Sequence, residues 1–393
     1  MKRFLTMARS RLEGLDFSMI LYFIILGIIG VMMVYSASMV SASKGALTGG
    51  IPIESNYFMK RQLLFLILGI VIIIFIGSFV NINAVKEHNV QKIMVLGTLL
   101  LLLITVLIGK EINGSKNWIN LGLFSIQSSE FLKLTSIFYL SYVINQRVSS
   151  RRDYQLKHLI PPLGIIGISL LLVLMQGDLG GTLLTVAIIA CILIYSDLKN
   201  KVKIQIMAIA VIPIVFYSIY TLIFDAKNIY RLRRIQVMLD PFKYEKDDGY
   251  QLTSALTAIG NGGFTGKGLG NGIAKLGYLP EPHTDFIFTV ISEELGLLGV
   301  LFILLIYGFI LVKGLIYANK TTNQFYKLIC VGVVSYLFMQ VFINLAGVSG
   351  IIPLTGVTLP LLSYGGSSIL SISIAYGTLL AVARRINNER KLN

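Results

Sequence analysis

The stretch FIFTVISEELGLLGVLFILLIYGFILV, residues 286–312, is apolar apart from a few small polar residues and two adjacent carboxylates, Glu293 and Glu294. As a helix it would measure about 40 Å, which exceeds the roughly 30 Å hydrocarbon core of a bilayer. A carboxylate facing lipid is costly, so at least one of the two glutamates should face a polar protein interior. The stretch therefore predicts a transmembrane helix with a buried polar face.

Similar runs recur throughout the 393 residues, of which 55% are hydrophobic and 13% charged. Soluble proteins carry about 25% charged residues, so the composition predicts an all-α integral membrane protein with a single polytopic domain, 1–393. Hydropathy indicates about ten transmembrane helices, at 17–36, 62–79, 93–109, 128–145, 159–175, 179–196, 203–224, 286–312, 326–347 and 365–383.

Charge patterning orients these spans. An even number places both termini on one side, and short basic segments such as RRDYQLK (151–157) and DLKNKVK (197–203) then fall on that same side. Cytoplasmic segments collect Lys and Arg, so both termini are expected to be cytoplasmic. The net charge of +15 is then explained by the basic residues of the cytoplasmic segments and by attraction to anionic membrane lipids. It gives no support for a nucleic-acid partner.

One large extracellular loop, 225–285, is predicted between the seventh and eighth spans. Its glycine-rich part, GNGGFTGKGLGNG, lacks the spacing of a phosphate-binding loop, which favours a tightly turned or flexible segment. Its three clustered arginines include Arg234, and guanidinium groups suit an anionic headgroup or a diphosphate. An interfacial anchor paired with Asp240 or Glu245 explains the same cluster equally well.

Three charged residues near or inside other spans are candidates for a site. Glu130 and Lys133 lie three apart on one helical face, where they form either a structural ion pair or the wall of a wet cavity. Asp178, in QGDLGG, opens a span and is well placed to cap it. Near the end, GIIPLTGVTLPLLSYGGSS (350–368) predicts a re-entrant segment beside a pocket, because irregular backbone at membrane depth needs protein or water around it.

The motif PEPHTD, 280–285, places Asp285 at or just before the first turn of the eighth span. One interpretation is an N-cap that accepts from the N–H groups of Ile287 or Phe288. The other is a half-buried carboxylate with a raised pKa that acts as a general base towards a hydroxyl. Spacing alone leaves both open.

Together these motifs resemble the SEDS family of shape, elongation, division and sporulation proteins, over about residues 15–385. The motifs are YSAS, NGSKNWINLG, SSEFLKL, QGDLGG, the run from RLRRIQVMLDP to SEELG, and IPLTGVTLPLLSYGGSS. The resemblance implies a ten-helix fold that polymerises lipid II, a peptidoglycan glycosyltransferase with Asp285 as the base. Two positions depart from the family pattern, namely Gly177 and the SKN before Trp118. They bear on local geometry only.

The resemblance also implies roles for other residues. Arg234 and Lys275 are candidates to bind the diphosphate, and a divalent cation, Mg²⁺ or Mn²⁺, is the candidate cofactor that would assist them. His283 would tune or position the base, and Glu130, Lys133 and Asp178 complete the candidate substrate-binding set, with Glu130 and Lys133 lining the cavity.

Within the family, TGGIPI, INGSKNWINLG and GDLGG are most similar to the FtsW division branch of Gram-positive bacteria, with the RodA elongation branch as the alternative. This implies a bacterial cell membrane location at the division septum. The implied partners are a cognate class B penicillin-binding protein, which is a transpeptidase, and other divisome proteins. A lipid II flippase is the rival function.

Overall fold

The computed structural model describes residues 13–45, 50–112, 115–120, 122, 125–150, 159–224, 228–247 and 249–392. The chain is helical, and each of the ten predicted spans overlaps a helix. In chain order the helices are α1 (Phe17–Ser43), α2 (Tyr57–Phe79), α3 (His88–Ile108), α4 (Ser128–Ser150), α5 (Ile160–Met175), α6 (Leu179–Tyr195), α7 (Asn200–Phe224), α8 (Asn228–Leu239), α9 (Tyr250–Gly262), α10 (Ile287–Lys320), α11 (Gln324–Val348) and α12 (Gly366–Leu392).

Among the residues that the structure describes, six helices are long and apolar enough to cross a membrane: α1, α2, α3, α10, α11 and most of α12. Two more, α5 and α6, are apolar but only 16 and 17 residues long. At 1.5 Å per residue they measure about 25 Å, slightly less than a typical hydrocarbon core. The chain is thus a helical membrane protein, while the number of ten crossings stays a prediction.

The helices differ in how much of their surface faces protein. In α12 and α11, 83% and 72% of the apolar window is buried, against 28% in α3 and α10. Helices α11 and α12 therefore form the centre of the bundle, with α12 packed along α2 and α11 packed against α4, α6 and α10. The exposed apolar faces of α2, α3 and α10 suit contact with lipid.

A small antiparallel sheet lies between α3 and α4, which the sequence did not predict. Its strands are β1 (Lys110–Ile112), β2 (Ser115–Asn120) and β3 (Ser125–Gln127), in the order β1-β2-β3. Trp118 pairs with Lys110 on one side and Gln127 on the other. Strands of three to six residues are too short to show a clear alternating pattern, which is why this segment reads as a polar connection.

The predicted extracellular loop is largely folded. It contains α8, α9 and two short 3₁₀ helices, Pro241–Tyr244 and Ala274–Leu276, and α9 packs against α10. Helix α10 is broken at Gly296, whose φ of 64° and ψ of −169° are not helical. The glycine-rich turn after α9, which is part of the stretch GNGGFTGKGLGNG, fills this break. The two backbones are so close that an added Cβ at Gly296 would lie 2.2 Å from the Gly266 nitrogen.

Candidate active site

Asp285 stands two residues before α10, as predicted, but it does not cap that helix. The N-cap is Phe286, with no capping side chain, and α10 begins at Ile287. The cap interpretation is therefore wrong, because the helix begins one residue too late for the Asp285 carboxylate to reach its free N–H groups. This leaves the carboxylate available for other chemistry.

The backbone of the motif around Asp285 is held by three consecutive hydrogen bonds. The His283 carbonyl accepts from the Tyr364 N–H at 2.8 Å, and the Thr284 carbonyl accepts from the Ser363 hydroxyl at 2.7 Å. The Asp285 carbonyl accepts from the Asn344 amide nitrogen at 2.9 Å. Each carbonyl is thus held by a donor from α11 or from the connection between α11 and α12.

That connection covers Asp285, and we call residues 353–365 the covering segment. It has no regular secondary structure, and at Gly356 an added Cβ would lie only 3.4 Å from the Asp285 Oδ2. Gly356 also has a φ of +70°, which glycine adopts without strain. The segment therefore approaches the carboxylate closely at a position where the backbone itself requires glycine.

Side chains from four helices, α2, α8, α10 and α11, satisfy carbonyl groups of the covering segment. The stretch is irregular, as expected, and buried backbone carbonyls of this kind need donors. Its re-entrant course beside a pocket stays a prediction. The donor and carbonyl pairs are Arg234 with Leu354, Asn344 with Val357, Gln340 with Thr358, Tyr307 with Pro360, and Gln62 with Ser363.

The environment raises the pKa of Asp285 to about 6. Burial is the main cause, the negative charge of Glu281 adds to it, and the positive charge of Arg234 opposes it. A carboxylate with a pKa near the working pH is ionised in neutral solution and is still basic enough to accept a proton from a hydroxyl. The geometry and charge at Asp285 therefore suit a general base.

Arg234, in the middle of α8, acts electrostatically on this carboxylate. One of its guanidinium nitrogens donates to the Leu354 carbonyl at 2.8 Å, and its charge acts on Asp285. Its partly exposed fork is thus anchored to the covering segment next to the base. The structure brings together the two residues that sequence analysis assigned to the base and to diphosphate binding.

His283 is buried with 4% of its surface exposed, among aromatic rings. Its ring centroid lies 4.5 Å from that of Phe58 and 5.5 Å from that of Tyr364. Burial lowers the pKa of His283 to about 4, so the ring is neutral near pH 7. It packs the motif in place and does not offer a positive charge to a substrate.

Lys275 lies in a different cluster from Asp285. Its ammonium donates to the Glu294 carboxylate at 2.6 Å and to the Ser36 hydroxyl of α1 at 2.8 Å, and it is 1% exposed. Its charge is therefore already balanced by Glu294. Diphosphate binding by Lys275 stays a prediction, and it would require this pair to open.

Glu293, the neighbour of Glu294, binds the glycine-rich turn and the residues just after it. Its carboxylate accepts from the Lys267 ammonium at 2.7 Å and from the Ala274 N–H at 3.0 Å. Both Glu293 and Glu294 are 1% exposed, which confirms the predicted buried polar face of this helix. Together they hold the turn in the break of α10.

Glu130 and Lys133 form an ion pair of 2.6 Å, with the two residues 5% and 2% exposed. The Tyr336 hydroxyl donates to Glu130 at 2.6 Å and the Ser371 hydroxyl at 2.8 Å. The pair is thus a structural link between α4, α11 and α12. A role in lining a substrate cavity stays a prediction.

Asp178 caps α6, as its position indicated. Its carboxylate accepts from the Gly181 N–H at 2.7 Å. The other oxygen accepts from side chains of the sheet and of α4, namely Asn117 at 3.4 Å, Gln127 at 3.3 Å and Ser129 at 2.8 Å. The carboxylate is fully engaged in holding the sheet against α6, so substrate binding by Asp178 stays a prediction.

Comparison with known proteins assigns the chain. A family model described as "Cell cycle protein", FtsW/RodA/SpoVE, matches residues 16–388. The chain belongs to the FtsW/RodA/SpoVE family. This confirms the resemblance found in the sequence, since FtsW and RodA are its two branches.

Relatives of this FtsW/RodA/SpoVE chain cover nearly its whole length. The probable peptidoglycan glycosyltransferase FtsW of Bacillus subtilis is 37% identical over 96% of this chain and 92% of its own. Stage V sporulation protein E of the same organism is 35% identical over 94% and 97% of the two chains.

Two solved structures share the fold. One chain of a peptidoglycan synthase complex, whose structure addresses coordination of polymerization and crosslinking, aligns with a TM-score of 0.73 at 23% identity, covering 95% of this chain and 98% of its own. The rod shape determining protein RodA of Thermus thermophilus aligns with a TM-score of 0.64 at 24% identity, covering 94% and 97%. Both likenesses establish the fold of this family member.

The residues that sequence analysis missed are the uncharged donors around the motif. Asn344 and Gln340 are carboxamides four residues apart in an otherwise apolar helix, and both are buried. Polar side chains inside apolar helices mark positions that face protein, so this spacing was a usable signal. Ser363 carried no such signal, because serine is common in irregular segments.

A metal site is not built into the described part of the chain, where no three His, Cys, Asp or Glu side chains come together. Near the candidate base Asp285, the negative charge of Glu281 also acts. Two carboxylates suit Mg²⁺ or Mn²⁺ when a substrate phosphate supplies further oxygens. The divalent cation stays a prediction.

Proposed function

We propose that this protein is a peptidoglycan glycosyltransferase that polymerises lipid II, the undecaprenyl-linked precursor, during septal cell-wall synthesis. The observation that carries the proposal is the Asp285 carboxylate. Residues 353–365 pass over it, its pKa is raised to about 6, and the positive charge of Arg234 acts on it. The names of the related FtsW proteins support the activity.

The reaction needs a base at the acceptor and positive charge at the leaving group. Asp285 takes the proton of the acceptor 4-hydroxyl on N-acetylglucosamine, and that oxygen attacks C1 of the donor N-acetylmuramic acid. The bond from C1 to the diphosphate breaks, undecaprenyl diphosphate leaves, and the α-linked donor becomes a β-1,4 glycan. Arg234 stabilises the charge that develops on the diphosphate.

The reaction belongs on the outer face of the bacterial cell membrane, with ten crossings and both termini cytoplasmic. The described ends of the chain support an even number of crossings, because the Asn387 side chain donates to the Gly14 carbonyl at 2.9 Å. Asp285, the sheet and α8 then lie at the opposite end of the bundle.

The proposed partner is a cognate class B penicillin-binding protein, with other divisome proteins and membrane lipids around it. The structure of a peptidoglycan synthase complex, which concerns polymerization and crosslinking together, supports a crosslinking partner. A role in elongation, as for RodA, is the alternative that the fold likeness leaves open.

The test is polymerisation of lipid II by the purified full-length protein with its partner. We expect glycan strands from the wild type and none from Asp285→Ala or Asp285→Asn. Glycan synthesis by either variant at the wild-type rate would reject the base assignment.

Translocation of the lipid II headgroup without polymerisation by the wild type would instead support a flippase. Full complementation of a depletion strain by Asp285→Asn would support a scaffold.

A further inference from the structure

Asn344 connects the two stretches of backbone that lie on either side of the Asp285 carboxyl group. It lies on α11, 3% exposed, and its amide nitrogen donates to the Asp285 carbonyl at 2.9 Å and to the Val357 carbonyl at 2.7 Å. The first carbonyl belongs to the motif just before α10 and the second to the covering segment. One side chain from a third element therefore fixes the separation of the other two.

The geometry of a carboxamide makes this connection rigid. Its –NH₂ group has two hydrogens in one plane, and here each has its own carbonyl acceptor. Rotating the side chain would break at least one of these bonds and leave a buried carbonyl unpaired, which is unfavourable. The neighbour of Val357 is Gly356, where an added Cβ would lie 3.4 Å from Asp285 Oδ2.

We infer that Asn344 is a positioning residue, which sets the orientation of the Asp285 carboxylate and its cover by residues 353–365. The inference rests on the proposed function, in which Asp285 is the base. Asn344 acts through Asp285 and Val357, and it is not placed to touch the reacting atoms itself. Loss of its two hydrogen bonds would let the covering segment move away and admit water to the carboxylate.

Gln340 is a matched control on the same helix, one turn from Asn344. It is also a buried carboxamide, and its nitrogen donates to the Thr358 carbonyl at 3.1 Å and contacts the hydroxyls of Thr358 and Ser368. It therefore binds the same covering segment next to Val357, but it makes no bond to Asp285. Its removal costs a comparable buried contact without releasing the base.

The charged groups that face Asp285 are unchanged in both variants. Glu281 comes from the loop before α10, and Arg234 comes from α8, where its guanidinium also holds the Leu354 carbonyl. Their electrostatic effect on Asp285 persists as long as the segment stays in place. Both side chains hold the covering segment, but only Asn344 also bonds the Asp285 carbonyl. A difference between the two variants in the acid limb of the pH–rate profile thus reports on the link between Asp285 and the covering segment.

The experiment compares Asn344→Ala with Gln340→Ala in full-length protein, assembled with its transpeptidase partner and supplied with lipid II. For Asn344→Ala we expect kcat to fall about 10- to 100-fold, the cost of a small misplacement of a reacting group, with KM changed less than about threefold. Its acid limb should move from near pH 6 towards the ordinary carboxyl range, about pH 4. Gln340→Ala should keep the wild-type acid limb.

Two results would overturn the inference: an unchanged acid limb in Asn344→Ala, or the same shift and the same loss of kcat in both variants. If Asn344→Ala does not accumulate in membranes, Asn344→Ser takes its place. Its single hydroxyl can donate to only one of the two carbonyls, so an intermediate loss of kcat and a smaller shift are expected. An inactive wild type would reject the proposed function separately, before either variant is measured.

Discussion

The Lys133 ammonium donates to the Glu130 carboxylate at 2.6 Å, and both side chains are buried where α4 meets α11 and α12. The second oxygen of Glu130 accepts from the hydroxyls of Tyr336 and Ser371. The Lys133 nitrogen also lies 4.7 Å from the centre of the Tyr336 ring. Each charge is therefore compensated inside the bundle. Removing one of them would leave the other buried without its counter-charge.

This pair predicts strong coupling between the two residues. Glu130→Ala should lower the free energy of unfolding by about 3–5 kcal/mol, because it leaves the Lys133 ammonium buried without its counter-charge. The double variant with Lys133→Ala should lose less than Glu130→Ala alone. Thermal unfolding in detergent, together with polymerase activity, measures both. Equal losses of polymerase activity in the single and double variants would indicate direct contact with the substrate instead.

The raised pKa of Asp285 predicts the pH dependence of polymerisation. Asp285 acts as a base only when deprotonated, so the rate should fall as the pH decreases through about 6. Glu281→Gln removes a negative charge that favours the protonated form, so its acid limb should move to lower pH. Glu245→Gln is the control, since Glu245 is an exposed acid of the same loop and does not affect Asp285. An upward shift in Glu281→Gln would contradict the electrostatic assignment.

Gly356→Ala should impair both folding and catalysis. A φ of +70° costs an alanine about 1–2 kcal/mol, and the new Cβ would lie 3.4 Å from Asp285 Oδ2. Gly365→Ala is a matched control in the same segment, because its added Cβ would also make an ordinary contact, 3.6 Å from Ser368, but Gly365 has no positive φ. We expect a clear loss of glycan synthesis in the first variant only, and similar activity of the two would argue against close cover at Gly356.

Asp16 is expected to stabilise the other end of the bundle. Although burial opposes ionisation, hydrogen bonds from Lys313, Ser18 and Tyr317 lower the pKa of Asp16 to about 2 from 3.8. A lowered carboxyl pKa contributes stability that is present above about pH 4 and is lost as the pH falls through about 2.

Asp16→Asn should therefore lose about 2 kcal/mol at neutral pH, measured by thermal unfolding in detergent. Asp197→Asn is the comparison, because its side chain is 60% exposed and lies 3.8 Å from the Lys327 ammonium. An exposed pair contributes about 0–1 kcal/mol, so this control should change little. Equal losses in the two variants would show that Asp16 is no more than a surface acid.

Much of the site could be located from the sequence but not assembled from it. The positions of Asp285 before α10 and of the irregular stretch after α11 follow from local patterns of proline, glycine and polar residues. That Asn344 bonds the Asp285 carbonyl, 59 residues earlier, depends on how α11 packs against α10. No spacing rule relates two such residues, because their contact is made by packing between separate helices.

The sequence by itself determined the class of the protein and the surroundings of Glu293 and Glu294. Apolar runs long enough for a bilayer must form helices, and acids within such a run must face protein. Only the tertiary structure decided how the charges pair. Lys275 suits a diphosphate by residue type, yet it binds Glu294, because the glycine-rich turn folds into the break of α10 at Gly296. Residue type and spacing set which groups can interact, whereas the packing of distant elements sets which of them meet.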